Sequence, residues 1–237
     1  MIEMNIRRMG ELEYPAVEAI NTLCTNLSFA GGDIKKIMIT SCHPQEGKSF
    51  VAMNLMRAMA GLGLKVILVD ADIRASALQG TYGIEVLSDN KNKYLGLCGY
   101  LTGRCTADDI VAQTNIDCAS LILSGRTVIN SLPLFNSPKL KTLLDQLACE
   151  YDIVLIDAPP VGTIIDAAKI ARVCDSTLFV VQCGAVSVDE LKDSVSQIEK
   201  SGCPVMGYVL NKYNSKEHGG KYYYHKPYYT SKEKHRK

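Results

Sequence analysis

The sequence lacks the features that place a protein in a membrane or outside the cell. No apolar run in its 237 residues approaches the roughly 18–20 needed to cross a bilayer, and the amino-terminal segment has no signal-peptide core. The nine cysteines show no paired spacing, which argues against a disulfide framework or a zinc site. Of the four histidines, three lie at or beyond position 218, so they predict no metal cluster. We therefore expect a cytoplasmic protein with reduced, largely buried cysteines.

The composition is that of a globular protein with an unusual carboxyl-terminal segment. Hydrophobic residues make up 47% and charged residues 22%, which is enough for a substantial core. Residues 212–237 hold eight Lys/Arg against two Glu, about +6, whereas the remaining residues sum to about −5. Six of the twelve tyrosines also lie there: Tyr213, Tyr222, Tyr223, Tyr224, Tyr228 and Tyr229. We predict a domain over 1–211, beginning with a flexible arm over 1–14, and a disordered basic tail over 212–237.

One nine-residue stretch, 41–49, carries the clearest chemical signal. It reads Ser-Cys-His-Pro-Gln-Glu-Gly-Lys-Ser, between the apolar strand Ile37–Ile39 and a helical run. This strand–loop–helix order is typical of the P-loop that binds nucleotide phosphates. Backbone N–H groups would face the phosphates, Lys48 would reach the outer ones, and Ser49 would supply a magnesium ligand. Cys42 stands where the strict pattern has glycine.

The rest of the chain alternates apolar strands with helical segments, which predicts an α/β fold with a mainly parallel sheet covered by helices on both faces. The predicted strands are 37–39, 66–69, 121–123, 153–156, 178–181 and 205–210. Helices are predicted at 14–30, after the P-loop, near 96–101 and 107–112, and at 137–149, 164–172 and 187–200, the last opened by a capping box.

Acidic residues follow two of these strands. Asp157 follows the strand 153–156, which is the position of a Walker B aspartate that holds magnesium directly or through water. Asp70 and Asp72 follow the strand 66–69. Ligands of open α/β sheets bind at the carboxyl ends of the strands, where these side chains gather. In phosphoryl transfer, one carboxylate of the pair 70/72 would face magnesium and the other the incoming hydroxyl.

Together these motifs resemble the bacterial tyrosine kinases (BY-kinases), of the free-standing cytoplasmic type linked to capsular and exopolysaccharide synthesis. The resemblance covers roughly residues 14–211 and the tail. It rests on the P-loop, the Asp70-x-Asp72-x-Arg74 motif, Asp157-x-Pro159-Pro160, the segment 124–138 and the terminal tyrosines. It implies ATP and Mg²⁺, and autophosphorylation of the six tail tyrosines.

The resemblance also implies a role for each site residue. Lys48, Asp70, Asp72, Asp157 and Arg74 would be catalytic, with Asp70 as the base toward tyrosine and Arg74 supporting the acidic cluster. Ser49, Asp72 and Asp157 would form the metal shell. The nucleotide would be bound by Ser41, Pro44, Gln45, Glu46, Gly47, Lys48, Ser49, Phe50 and Asn211, the last at the adenine.

The implied partners are a membrane-embedded chain-length regulator and a cognate tyrosine phosphatase, with no nucleic acid. The regulator would hold the protein at the inner face of the plasma membrane and complete the nucleotide site. Similar kinases form rings through a Glu-x-x-Arg-x-x-Arg motif on the early helix, where this chain has Glu18, Asn21 and Cys24. A homo-oligomer would therefore lack both arginine contacts. A proline common soon after the second-motif arginine is also missing, and Gln45 stands where glycine is frequent.

Two other functions fit part of the sequence. A partitioning or positioning P-loop ATPase would carry a lysine five residues before Lys48, where this chain has His43, and has no use for a tyrosine-rich tail. A nucleotide-binding scaffold without kinase activity would use the basic aromatic tail to contact anionic lipid or nucleic acid. Lys48, Ser49 and the three aspartates together favour catalysis.

Overall fold

The computed structural model describes residues 2–29, 31, 33–87, 94–128, 130–162 and 165–213. The tail tyrosines other than Tyr213 lie outside the described residues. Among the helices of these ranges, none combines the length and apolar character that a bilayer crossing requires.

Nine strands of the described residues form one sheet in the order β4-β1-β5-β6-β3-β7-β2-β8-β9. All neighbours are parallel except β1/β4 and β5/β6, which confirms the α/β prediction. The strands are β1 (Ile2–Ile6), β2 (Lys36–Ser41), β3 (Val66–Asp70), β4 (Ile84–Val86), β5 (Ala112–Thr114), β6 (Ala119–Ile122), β7 (Ile153–Asp157), β8 (Ser176–Gln182) and β9 (Val205–Asn211).

Helices cover both faces of this sheet. They are α1 (Tyr14–Ser28), α2 (Lys48–Gly61), α3 (Leu78–Tyr82), α4 (Gly96–Leu101), α5 (Leu132–Phe135), α6 (Lys139–Glu150), α7 (Asp166–Ala171) and α8 (Val188–Glu199). Successive residues of β3 face opposite cores: Leu68 belongs to the core that includes residues of α1 and α2, whereas Ile67 and Val69 belong to the core that includes residues of α6, α7 and α8. Because both faces are buried, the central strands are continuously apolar.

The prediction of a flexible arm over 1–14 is wrong for residues 2–6. β1 lies inside the sheet, pairing antiparallel with β4 and parallel with β5. Met4 and Ile6 are buried, and Asn115 accepts a hydrogen bond from the Ile6 N–H at 2.8 Å. The segment is polar at every second position because it is a strand whose alternate side chains enter the core.

The predicted helix near 107–112 is also wrong, because these residues form a turn that leads into β5. Asp109 accepts hydrogen bonds from the backbone N–H and the hydroxyl of Thr106, which stabilises a tight turn. The predicted helix at 96–101 is confirmed, as is the capping box in which Ser187 and Glu190 open α8.

Candidate active site

The candidate site lies where the parallel strands β2, β3 and β7 end. Asp157 of β7 pairs in register with Ile39 of β2 on one side and with Asp70 of β3 on the other. Because paired residues of parallel strands project to the same face, the two carboxylates are neighbours. The P-loop follows β2 and leads into α2, which begins at Lys48. The predicted convergence of the P-loop with these aspartates is therefore present.

Lys48 lies among these acids. Its Nζ is 3.4 Å from Oδ2 of Asp72 and 3.9 Å from Oδ1 of Asp157. Burial lowers the pKa of Lys48, but the negative charges of Asp157, Asp72 and Asp70 together raise it above the ordinary value. The ammonium group is thus held charged at the start of α2, where it can face a phosphate.

Asp70 and Asp157 are both almost fully buried. Burial, and then the charge of Asp157, raise the pKa of Asp70 to about 7, although hydrogen bonds from Ser76 and Ser124 oppose the shift. Burial also raises the pKa of Asp157, against the lowering effects of Lys48 and of a hydrogen bond with Ser49. A carboxyl group with a pKa near neutral can accept and release a proton under ordinary conditions.

The raised pKa of Asp70 predicts a pH-dependent stability change. Between about pH 4 and pH 7 the folded protein holds a proton on Asp70 that the unfolded chain has lost, so the free energy of unfolding falls as the pH rises through this window. Asp70→Asn abolishes this loss of stability, which amounts to at most roughly 1.4 kcal/mol for each unit by which folding raises the pKa of Asp70. We expect its melting temperature to exceed that of the wild type by several degrees at pH 8 and by less at pH 5, measured by calorimetry.

Asp145→Asn is the control of opposite sign. Hydrogen bonds from Lys141 and Lys36 lower the pKa of Asp145, so its carboxylate stabilises the fold above the ordinary pKa. This variant should melt below the wild type at neutral pH, with the difference vanishing in acid. A melting difference for Asp70→Asn that does not change with pH would contradict the assignment.

The P-loop has a backbone that few residues can adopt. Gly47, directly before α2, has φ +95°, and a Cβ there would lie 2.0 Å from Nδ2 of Asn211. Asn211 Nδ2 donates to the carbonyl of Glu46 at 2.8 Å, so the end of β9 supports the loop. Gln45 has φ +65°, a conformation that glycine adopts more readily and that Lys212 stabilises by donating to its carbonyl at 2.7 Å.

Glu46 holds the loop in place from within. Its buried carboxylate accepts from the backbone N–H of His43 at 2.7 Å and from that of Gln182, the last residue of β8, at 3.0 Å. Because backbone donors occupy the Glu46 carboxylate, the predicted contact of Glu46 with nucleotide would have to come from its backbone. This supporting role could not be found in the sequence, because Gln182 lies 136 residues away.

The other predicted nucleotide-binding residues border the same loop. Ser41 Oγ donates to the carbonyl of His43 at 2.7 Å, which turns the chain after β2. Pro44 and Gln45 are exposed, and Phe50 on α2 is 42% exposed. The adenine contact predicted for Asn211 stays a prediction; one N–H of its amide group is used by the Glu46 carbonyl.

Within the part of the chain that the structure describes, no hydrogen bond or ion pair joins Arg74 to the acidic cluster that it was expected to support. Its Nε donates to Oδ2 of Asp166 at 2.8 Å and to Oγ of Ser131 at 2.7 Å, and Ser131 also bonds to Asp166. Asp166 is buried at the start of α7, beyond the Walker B loop. Arg74 therefore connects the loop after β3 to α7. Asp166 was missed because it lies in no recognisable motif, and Ser131 because nothing within the segment 124–138 marks its role.

The donor set suits a magnesium ion held mainly by phosphate. No group of three or more His, Cys, Asp or Glu side chains in the described ranges could hold a metal alone. Magnesium at nucleotide sites usually takes one or two protein ligands together with phosphates and waters. Oδ1 of Asp157 is buried without a hydrogen-bond partner, and the Ser49 hydroxyl contacts the same carboxylate. An ion bound beside Ser49 would satisfy that oxygen directly or through water.

Comparison with known proteins agrees with this geometry. A family model described as AAA domain matches residues 34–202. Tyrosine-protein kinase CpsD of Streptococcus agalactiae serotype III is 31% identical over 214 residues, covering 90% of this chain and 88% of that protein. A putative tyrosine-protein kinase in cps region from Klebsiella pneumoniae is 33% identical and covers 83% of this chain but 26% of that longer protein.

A solved structure extends the likeness to three dimensions. The kinase domain of Escherichia coli tyrosine kinase ETK superimposes with a TM-score of 0.76 at 29% identity, covering 83% of this chain and 75% of that one. The chain therefore belongs to the bacterial tyrosine kinase family and is a protein-tyrosine kinase built on the P-loop fold.

Proposed function

We propose that the protein is an ATP- and Mg²⁺-dependent autokinase that phosphorylates its own carboxyl-terminal tyrosine cluster and thereby regulates capsular or exopolysaccharide synthesis and export. The observation that carries the proposal is the position of Lys48, within 4 Å of Asp72 and Asp157 and beside Asp70 at one sheet edge. A scaffold that merely binds nucleotide has no need for Asp70, a buried carboxyl whose pKa is raised to about 7.

In the proposed reaction the P-loop N–H groups and the start of α2 bind the phosphates of ATP. Ser49, Asp72 and Asp157 would hold magnesium, which would supply positive charge against the phosphates. Lys48 stabilises charge on the phosphoryl group as it leaves ADP. The tyrosine oxygen forms the new bond to phosphorus, and its proton passes to Oδ1 of Asp70, which has no other hydrogen-bond partner among the described residues.

The proposed substrate begins beside the site. Lys212, the residue after β9, donates from Nζ to the carbonyl of Gln45 at 2.7 Å and to Oε1 of Gln182 at 2.9 Å. Residues 212–237 therefore start at the outer wall of the P-loop. Six phosphotyrosines would add about −9 to −12 charges and change the net charge of the tail from about +6 to between −3 and −6. Such a change could release the tail from an anionic surface.

We extend the proposal to organisation and partners. Residues 1–211 would be the kinase domain and 212–237 the substrate tail, with a membrane-embedded chain-length regulator holding the protein at the membrane and a tyrosine phosphatase reversing the reaction. The Klebsiella relative named from a cps region supports the polysaccharide context. On α1, Asn21 is exposed, whereas Cys24 is buried against α2. Cys24 stands at the last arginine position of the ring motif, and this position therefore faces the core. Ring assembly would need other contacts.

The test separates kinase activity from the choice of substrate. Purified protein is incubated with ATP and Mg²⁺, with and without a soluble tyrosine-containing polymer, and phosphotyrosine is measured over time. A variant with Tyr213, Tyr222, Tyr223, Tyr224, Tyr228 and Tyr229 all changed to Phe should lose autophosphorylation but still phosphorylate the polymer. The same assay with the cytoplasmic peptide of the regulator tests whether activation needs that partner.

Each alternative has its own outcome in this assay. Autophosphorylation that persists in the six-tyrosine variant would place the modified residues elsewhere. If the wild type hydrolyses ATP but forms no phosphotyrosine, with or without the regulator peptide, the proposal of an autokinase fails and an ATPase or scaffold role replaces it.

A further inference from the structure

Ser76 lies in the loop between β3 and α3, and its hydroxyl makes two hydrogen bonds. The Oγ atom donates to Oδ2 of Asp70 at 2.5 Å and accepts from the backbone N–H of Leu78, the first residue of α3, at 3.3 Å. Because a hydroxyl has one proton, accepting from Leu78 leaves that proton for Asp70. Ser76 therefore connects the start of α3 to the buried carboxylate.

Asp70 receives its hydrogen bonds on one oxygen only. The backbone N–H of Ser124, in the loop after β6, donates to the same Oδ2 at 3.3 Å, whereas the buried Oδ1 has no partner among the described residues. Ser124 also makes a side-chain hydrogen bond to Asp70, so donors from two separate loops restrict rotation of the carboxyl group. The arrangement thus leaves the buried Oδ1 as the oxygen with unused capacity to accept a hydrogen bond.

The loop around Ser76 is held independently of this bond. Oδ1 of Asp72 accepts from the backbone N–H of Ala75 at 3.1 Å, and Arg74 is anchored on Asp166. Removal of the Ser76 hydroxyl should therefore leave the loop in place and free mainly the Asp70 carboxyl. In similar kinases a proline is common in this part of the motif. This chain lacks that proline, and its loop carries the Ser76 hydroxyl.

We propose that Ser76 is a positioning residue for phosphoryl transfer, whose hydroxyl holds the Asp70 carboxylate so that Oδ1 meets the incoming tyrosine hydroxyl. The inference rests on the proposed role of Asp70 as the base. Ser76 itself touches neither phosphate nor metal in this scheme, so its loss should affect turnover and not nucleotide binding.

The experiment compares Ser76→Ala and Ser76→Thr in the full-length protein, with the polymer as substrate. Ser76→Ala should lower kcat about 10- to 100-fold, the range expected for losing a hydrogen bond to a charged group, with KM for ATP and nucleotide affinity changed less than about twofold. Ser76→Thr keeps the hydroxyl and should recover most of the rate. Ser201→Ala, which removes a hydroxyl bonded to the Ile198 carbonyl at the end of α8, is the control for serine loss.

A double-mutant cycle with Asp70→Asn distinguishes the two proposals. If Ser76 acts through Asp70, then adding Ser76→Ala to Asp70→Asn should cause little further loss. An active Asp70→Asn enzyme would overturn Asp70 as the base, and with it the role of Ser76. An inactive Asp70→Asn enzyme beside a fully active Ser76→Ala enzyme would overturn the Ser76 inference alone. Equal losses in Ala and Thr variants, or a parallel loss of nucleotide affinity, would also overturn it.

Discussion

Lys48→Met should reduce the initial rate of tyrosine phosphorylation by about 10²- to 10³-fold, the loss typical of removing one charge-stabilising donor from a transition state. Methionine approximates the length of lysine and fills the same space without the charge. Loss of the Lys48 ammonium group has a second consequence, because Lys48 lowers the pKa of Asp157 and lies 3.4 Å from Asp72. Without the ammonium group the pKa of Asp157 should rise further, and this carboxyl group should serve magnesium less well.

The measurement pairs the phosphotyrosine rate with nucleotide affinity from a fluorescent ATP analogue. We expect affinity to fall much less than the rate, since the P-loop backbone and the start of α2 still bind the phosphates. Lys65→Met is the matched control, because Lys65 is exposed just before β3, at the opposite edge of the sheet. A Lys48→Met enzyme that keeps a third or more of the wild-type rate would contradict catalysis at this site.

Gly47→Ala should abolish nucleotide binding, with affinity reduced by at least about 100-fold, because the substitution deforms the loop that presents its N–H groups to the phosphates. A Cβ at Gly47 would lie 2.0 Å from Nδ2 and 3.3 Å from Cγ of Asn211, so the amide has to leave the Glu46 carbonyl. The backbone has φ +95°, which costs a non-glycine residue about 1–3 kcal/mol. Titration calorimetry with ADP measures the binding, and thermal melting measures the stability.

Gly63→Ala is a close control for Gly47→Ala. Gly63 has φ +84°, so alanine is strained there too, but a Cβ would meet no atom within 4 Å. This variant should lose stability without losing nucleotide affinity. The double variant Gly47→Ala/Asn211→Ala removes the clashing amide and should regain part of the stability. If Gly47→Ala binds ADP as the wild type does, the described P-loop geometry is not the one that holds phosphate.

The central sheet and the P-loop could be predicted because their signals are local. β3 and β7 are buried on both faces, so their sequences are continuously apolar, and each ends in the aspartate that the motif requires. The P-loop lies between a strand and a helix that the hydrophobic pattern identifies without further information. Where the contacts of a residue lie within a few positions along the chain, its structure follows from its sequence.

The contacts that hold the site in shape could not be predicted, because they join distant segments. Arg74 belongs to a motif, yet its partner Asp166 lies 92 residues later and carries no signal of its own. Glu46 occupies a phosphate-binding position in sequence, but its carboxylate bonds to Gln182 across 136 residues. Tertiary partners of this kind decide what a motif residue does, and only the folded structure supplies them.

The position of β1 has a consequence for how the protein is made. Met4 pairs with Val86 and Ile2 with Ala112, so β1 emerges from the ribosome roughly 80–110 residues ahead of its partner strands. At roughly 5–20 residues per second, this interval is about 5–20 seconds. During it, the apolar side of the strand is open to chaperones and to other nascent chains, while the sheet around the P-loop waits for β7 and β8.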